Sequence, residues 1–203
     1  MKIMKKILSI ILILVMCVGL GISASAASQY TVVKGDSMWK IAVRYQIGLS
    51  EIISANPQVK NPNLIYPGDV LTIPSINGDV LSFEKEVVRL VNNVRAQNGL
   101  KPLTENWQLS RVARYKSQDM HDKKYFSHTS PTYGSPFDMI RSFNIKFNYA
   151  GENIAMGYTT PAAVVDGWMN SSGHRANILN KNFTQIGVGY VASGHYWTQM
   201  FLG

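Results

Sequence analysis

The sequence has a single cysteine, Cys17, which lies in an apolar run near the amino terminus. The rest of the chain therefore has no disulfide and no thiol chemistry, and its stability must come from packed apolar cores. Small secreted eukaryotic domains usually carry disulfides, so this composition favours a bacterial export product. Met16 stands where a lipid-attachment site needs a small residue, which argues against a lipoprotein.

The sequence also lacks a concentrated block of positive charge, although its formal net charge is +8. After residue 26 the basic side chains are scattered, and Lys123 and Lys124 are their only adjacent pair. Nucleic-acid-binding domains usually gather such residues on one face, so the pattern predicts no nucleic-acid partner. A mild positive charge suits an anionic cell wall, as it suits many other soluble proteins.

Residues 1 to 26 have the pattern of a secretory signal peptide. Lysines near the start are followed by an apolar run from Ile7 to Ile22 and by Ala24-Ser25-Ala26, a small-x-small cleavage signal. A retained membrane anchor is the alternative, but the run is shorter than the ~20 apolar residues of a spanning helix. We therefore predict secretion and no membrane contact after cleavage.

The next segment predicts a small unit of strand, helix, helix and strand. Tyr30 to Val33 is rich in β-forming residues, and Asp36 or Ser37 is placed to cap a helix from Met38 to Tyr45. Ser50 is placed to cap the second helix. A turn and residues 70 to 74 then supply the closing strand.

The aromatic ring of Trp39 has two possible roles. A tryptophan in such a module is a candidate for stacking on a sugar ring. However, its spacing with Ile41, Ala42 and Tyr45 is that of one apolar helix face. The spacing favours a core position for Trp39.

Residues 29 to 74 resemble the LysM module almost end to end. The segments that carry the resemblance are Tyr30-Thr31-Val32-Val33-Lys34-Gly35-Asp36-Ser37-Met38-Trp39-Lys40-Ile41-Ala42, Asn56-Pro57 and Asn61-Pro62-Asn63-Leu64-Ile65-Tyr66-Pro67-Gly68. The resemblance implies a βααβ fold that binds N-acetylglucosamine polymers such as peptidoglycan or chitin. It assigns ligand binding to two loops, whose residues here are Gly35, Asp36, Ser37, Met38, Asn63, Leu64, Ile65 and Tyr66.

A short polar linker, residues 75 to 80, is expected to let the two domains move relative to one another. From Leu81 the pattern becomes helical, and β signals follow Leu179. The predicted later helices run from about Trp107 to Lys123, from Ser135 or Pro136 to Ile140, and from Ala162 to Asn170. Helices flanking an antiparallel sheet predict an α+β sandwich.

Residues 81 to 203 resemble the CAP superfamily (cysteine-rich secretory, antigen 5 and pathogenesis-related 1 proteins) in a cysteine-free bacterial form. The matching motifs are Phe126-Ser127-His128-Thr129-Ser130-Pro131, Gly151-Glu152-Asn153-Ile154-Ala155, Trp168 with Ser172-Gly173-His174-Arg175-Ala176-Asn177-Ile178-Leu179, Ile186-Gly187-Val188-Gly189-Tyr190 and Tyr196-Trp197-Thr198-Gln199. The resemblance implies a CAP α-β-α sandwich. We expect the glutamate and second-histidine motifs to be short, turn-like segments.

The family carries a cleft with a His, Glu, Glu, His set. By the resemblance, His128 is the first histidine, Glu152 the first glutamate and His174 the last histidine. The second glutamate lies three residues after a tryptophan, and counting from Trp168 puts Ser171 there. This departure puts in doubt any mechanism that needs two carboxylates.

The resemblance implies that His128 and His174 bind a divalent metal, with Zn²⁺ preferred. Glu152 is then a third ligand, a base for metal-bound water, or a partner that orients one histidine. The spacing of the three residues matches no short zinc motif. A cleft held together by His–Glu hydrogen bonds, without metal or reaction, is the alternative.

Two functions are compatible with this sequence. The first is a wall-associated binding or adaptor protein, acting in envelope or spore-coat assembly or in host interaction. The second is a metal-dependent hydrolase of peptidoglycan or protein, for which the LysM module favours a wall substrate. The missing carboxylate at Ser171 favours the first, and lipid carriage rests on family analogy alone. We expect a monomer.

Overall fold

The computed structural model describes residues 27–203, and the predicted signal peptide lies outside the described residues. Within this range, no helix combines the length and apolar character needed to span a membrane. The described chain folds into a small N-terminal unit and a larger C-terminal unit.

The N-terminal unit is a βααβ fold. Its strands β1 (Ser28–Thr31) and β2 (Val70–Ile73) pair antiparallel, and helices α1 (Met38–Arg44) and α2 (Leu49–Ser54) lie between them in the chain. The buried apolar residues that hold this unit together are Val32, Met38, Ile41, Ala42, Ile47, Ile52, Leu71 and Ile73. Buried Asn56 also bonds both backbone groups of Thr72, which ties the end of α2 to β2.

Two predictions for this unit were wrong. Trp39 is 61% exposed, because Met38, Ile41 and Ala42 already fill the inner face of α1. The second helix is capped by Gly48 rather than by Ser50.

The C-terminal unit contains five helices and four strands. The helices are α3 (Gly78–Gln97), α4 (Trp107–Lys123), α5 (Pro136–Ser142), α6 (Pro161–Met169) and α7 (Ser172–Ile178). The strands are β3 (Thr104–Glu105), β4 (Ala150–Met156), β5 (Gln185–Val191) and β6 (Tyr196–Leu202). They form one sheet in the order β3-β5-β6-β4, in which β3 and β5 are parallel and the other pairs are antiparallel.

Side-chain alternation along the sheet creates two apolar layers. Trp197 and Phe201 of β6 pack with residues of α3 and α6, whereas Met200 and Leu202 pack with residues of α4 and α5. Helices therefore cover both faces of the sheet. The predicted α+β class and α-β-α sandwich are confirmed.

Local signals predicted the helices better than the motif segments. Helix α4 begins at Trp107, as predicted, and Asn106 caps it; Thr160 caps α6, with Pro161 at the first helical position. The turn-like prediction for residues 151 to 155 was wrong, because they lie in β4 at the edge of the sheet. Residues 172 to 178 form a helix, and residues 78 to 80 of the predicted linker begin α3.

The two units contact each other through α2 and α4. Glu51 accepts hydrogen bonds from the guanidinium of Arg111 at both carboxylate oxygens and from the hydroxyl of Tyr115 at 3.0 Å. The same guanidinium lies over the rings of Tyr115 and Phe143. A β-carbon at Gly48 would lie 2.2 Å from the Arg111 guanidinium carbon, so a larger residue there would displace the side chains of the ion pair. In this arrangement the contact opposes the free domain movement that we expected from the linker.

Candidate functional site

The cleft of the C-terminal unit is built around an exposed histidine and a buried glutamate. His128 lies on the loop after α4, and its Nδ1 is 2.7 Å from Oε1 of Glu152 on β4. The His128 side chain is 52% exposed, whereas the Glu152 side chain is 2% exposed. The imidazole therefore covers a carboxylate that is almost fully withdrawn from water.

Burial dominates the electrostatics of Glu152. It raises the pKa of the carboxyl group, and the hydrogen bond from His128 and the positive charge of Lys116 oppose that rise only in part. The second oxygen of Glu152, Oε2, has no hydrogen-bond partner among the described residues. An unpartnered buried carboxylate oxygen is costly, and this cost agrees with the raised pKa of the group.

His174 lies in the first turn of α7, beside Asn153, which follows Glu152 in β4. Its backbone carbonyl accepts a hydrogen bond from the Asn153 side chain at 3.1 Å, and Asn177 in turn donates to Asn153. Burial and the nearby charge of His128 lower the pKa of His174, which favours its neutral imidazole. The structure thus brings His128 and Glu152 into contact and puts His174 within electrostatic range of His128.

The donor set of this cleft is incomplete for a catalytic zinc site. Catalytic zinc is usually held by three protein ligands. Across residues 27–203, no group of three or more His, Cys, Asp and Glu side chains is arranged to hold a metal ion. Ser171, at the position of the second glutamate, is the N-cap of α7 and supplies no carboxylate. The cleft therefore offers two candidate protein ligands, His128 and His174, which is fewer than a catalytic zinc site uses.

Of the two loops of the N-terminal unit that were predicted to bind a ligand, the first offers few free side chains. The Asp36 carboxylate is 4% exposed and accepts hydrogen bonds from Tyr30 and Arg44. Ser37 caps α1 through the amide of Lys40, and Met38 is part of the core. Asp36, Ser37 and Met38 were predicted to contact a ligand, but their side chains have structural partners.

Gly35, in the same loop, is different. Its φ is +92°, a left-handed conformation that favours glycine, and no atom would lie within 4 Å of an added β-carbon. The space beside its α-carbon is therefore open, whereas its carbonyl accepts a hydrogen bond from Nζ of Lys40 at 2.7 Å.

The second loop presents apolar surface. Leu64 and Tyr66 are both exposed, whereas Ile65 between them packs against the core. Asn63 is exposed beside them, with its amide bonded to Asn61. An exposed leucine and tyrosine next to polar groups form the kind of surface on which the apolar face of a sugar can pack.

Family models match two segments of the chain. Residues 88–201 match the cysteine-rich secretory protein family, CAP, and residues 30–74 match the LysM domain. The CAP match covers more than half of the chain. The chain belongs to the CAP family. It carries a LysM domain in front of its CAP domain, in the order that the sequence predicted.

Three similar proteins illustrate these matches. The uncharacterized protein YkwD of Bacillus subtilis (strain 168) is 61% identical over 132 residues, which are 65% of this chain and 51% of the relative. A solved structure of an extracellular protein with an SCP domain, from Bacillus anthracis, is 35% identical and has a TM-score of 0.59. The match covers 67% of this chain and 47% of that protein's chain. The probable autolysin LDP of Staphylococcus aureus is 48% identical over 44 residues, 22% of this chain and 15% of its own. The chain thus spans about half the length of the relatives matched through the CAP domain.

Two charged residues near the cleft of the CAP domain were not identified from the sequence. Lys116 and Asp119 are buried on the inner side of α4, and both bond the loop that carries His128. Their spacing from Val112 and Met120, which are core residues, places them on the same helix face. Charged residues at core positions of an amphipathic helix were therefore the signal that could have identified them.

Proposed function

We propose that this is a secreted, cell-wall-associated protein whose LysM domain binds N-acetylglucosamine polymers, with peptidoglycan as the preferred ligand. Its CAP domain presents the cleft of His128, Glu152 and His174 to a partner in a non-enzymatic binding or adaptor role in the envelope or spore coat. The observation that carries the proposal is the LysM match over residues 30–74 together with the exposed Leu64 and Tyr66.

The CAP cleft supports the adaptor role by what it contains. It has one buried carboxylate, a histidine that covers it and an unpartnered oxygen, Oε2 of Glu152, inside. The position of the second carboxylate is Ser171, so the paired acid and base of a hydrolase are not present as two carboxylates. The half-exposed imidazole of His128, bonded to the buried carboxylate behind it, suits the recognition of a polar group on a partner.

Retention on insoluble peptidoglycan tests the LysM assignment. We expect the mature protein to be retained, and we expect Tyr66→Ala and Leu64→Ala each to weaken binding by roughly three- to tenfold, because each removes about 1 kcal/mol of apolar packing. Tyr149→Ala is the matched control, since Tyr149 is an exposed aromatic residue of the CAP domain. Equal retention of the mature protein and all three variants would rule out the assigned sugar surface.

A hydrolase of peptidoglycan or protein is the second candidate, and the environment of Glu152 favours it. A buried carboxyl group with a raised pKa, in contact with a histidine, is suited to act as a general acid or base. In the metal-dependent form of this candidate, His128 and His174 would be the protein ligands, and further ligands would have to come from solvent or substrate.

Fragment release from purified peptidoglycan separates the two candidates. The mature protein is incubated with the polymer, with and without added Zn²⁺, and soluble fragments are identified by mass spectrometry. A hydrolase would release defined fragments, and Glu152→Gln would abolish them. Binding without fragments under both conditions is the result that we expect for an adaptor.

A further inference from the structure

Lys116 is a charged residue in a fully buried position. It lies on α4 with 0% exposure, and burial lowers the pKa of its ammonium group. All three of its protons have acceptors: the carbonyl of Ser127 at 2.8 Å, the carbonyl of His128 at 2.7 Å and the hydroxyl of Tyr125 at 3.2 Å. Burying an ammonium group is costly, and this complete set of hydrogen bonds offsets the cost.

Asp119 binds residues at both ends of the same loop. It follows Lys116 by three residues and so lies on the same face of α4. Its carboxylate accepts hydrogen bonds from the hydroxyls of Tyr125 at 2.6 Å and Ser130 at 2.7 Å, and it also accepts one from Thr132. The loop from residue 125 to residue 132 is therefore fixed to α4 at several points, and two of these are the carbonyls beside His128.

The His128 side chain itself has little else to fix it. It is half exposed, and its contact with Glu152 is made through one ring nitrogen, Nδ1. The 2.7 Å distance to Glu152 therefore depends on where the backbone of residues 127 and 128 is held. In the structure Lys116, on α4, holds that backbone through hydrogen bonds to both carbonyls.

We propose that Lys116 is the positioning residue of the CAP cleft: by binding the carbonyls of Ser127 and His128, it keeps Nδ1 of His128 on Glu152 and leaves Nε2 facing away for a ligand. The inference rests on the proposed role of this cleft. Lys116 acts through the backbone and is not itself presented to a ligand, because it has no exposed surface.

The protonation pattern of the His128 ring tests this inference. A neutral imidazole that donates from Nδ1 to Glu152 has its proton on Nδ1, whereas free histidine prefers the proton on Nε2. Two-dimensional NMR of the ¹⁵N-labelled mature protein, at a pH above the titration range of histidine, distinguishes the two forms. We expect the Nδ1–H form of His128 in the wild type and its loss in Lys116→Met, with the signals of His121, His174 and His195 unchanged.

Ser117→Ala is the matched control. Ser117 is the neighbour of Lys116, is equally buried, and bonds Gly189 and Thr198 rather than the loop. It should lower stability without changing the His128 ring. A folded Lys116→Met protein with the wild-type His128 pattern would overturn the proposal, and so would the same change in Ser117→Ala.

A second variant covers the case in which Lys116→Met does not fold. Lys116→Gln keeps a donor for one carbonyl but cannot reach all three acceptors, and the same His128 signals decide the result in the same way. Retention on peptidoglycan is measured in parallel and should stay at the wild-type level, because the LysM domain is unaltered. If the wild type did not bind peptidoglycan, the proposed function would be contradicted, whereas the His128 signals would still test the role of Lys116.

Discussion

Gly189→Ala will prevent folding of the CAP domain or lower its free energy of unfolding by about 3 kcal/mol or more. A β-carbon at this position of β5 would lie 2.1 Å from the amide nitrogen of Arg114 and 2.2 Å from the carbonyl carbon of Ala113. Both atoms belong to the backbone of α4, which cannot move away as a flexible side chain can. The helix would have to separate from the sheet.

Denaturant unfolding followed by circular dichroism measures this effect. Gly78→Ala is the control, because Gly78 lies in the first turn of α3 and no atom would be within 4 Å of its β-carbon. Alanine there should leave stability unchanged or raise it by up to about 1 kcal/mol. Equal midpoints for the two variants would mean that α4 does not approach the sheet as closely as described.

Arg95→Met will destabilise the CAP domain by about 3 kcal/mol. Arg95 lies near the end of α3 with 1% exposure, and its guanidinium donates to the carbonyls of Lys101 at 2.9 Å, Ile178 at 2.7 Å and Asn180 at 3.0 Å. Methionine fills much of the volume but leaves these acceptors without their donor. The loop that joins α7 to β5 would lose its attachment to α3.

Arg89→Met provides the comparison for that result. Arg89 is on the same helix, but it is exposed and bonded to Glu86 on the surface, where ion pairs contribute little to stability. Thermal or denaturant unfolding should therefore separate the two methionine variants clearly. If Arg95→Met were as stable as Arg89→Met, the carbonyl contacts would contribute little to stability.

The sequence predicted elements that carry their own local signals. Helix α4 has a capping asparagine and a regular apolar face, and α6 has the pair Thr160-Pro161 at its start. Both were predicted to within about one residue. The order of LysM and CAP domains was also predicted, because their motifs are long and specific.

Elements that depend on distant partners were harder to predict. The segment Gly151-Glu152-Asn153 contains weak β-formers and becomes a strand because it pairs with β6. Trp39 matched an apolar helix face, but the small LysM core has no room for a tryptophan beside Met38 and Ile41. The pairing of Glu51 with Arg111 links residues 60 positions apart, and each looks like an ordinary surface charge in the sequence.

The candidate cleft shows the same division. His128, Glu152 and His174 were identified through family resemblance, since their spacing alone implies no site. The contact between His128 and Glu152 becomes visible only when β4 and the loop after α4 are folded together. The burial of Lys116 and Asp119 beneath that loop likewise depends on how α4 packs against the sheet.

The contact between Glu51 and Arg111 affects how several copies of this protein would be oriented on one surface. A flexible linker between two domains lets one domain take many positions around the other, over a range set by the linker length. Here the bidentate ion pair, stacked on two aromatic rings, favours one orientation of the CAP domain relative to the LysM domain. If the LysM domain binds glycan strands as proposed, copies bound in the same orientation would present their His128 side chains in a common direction.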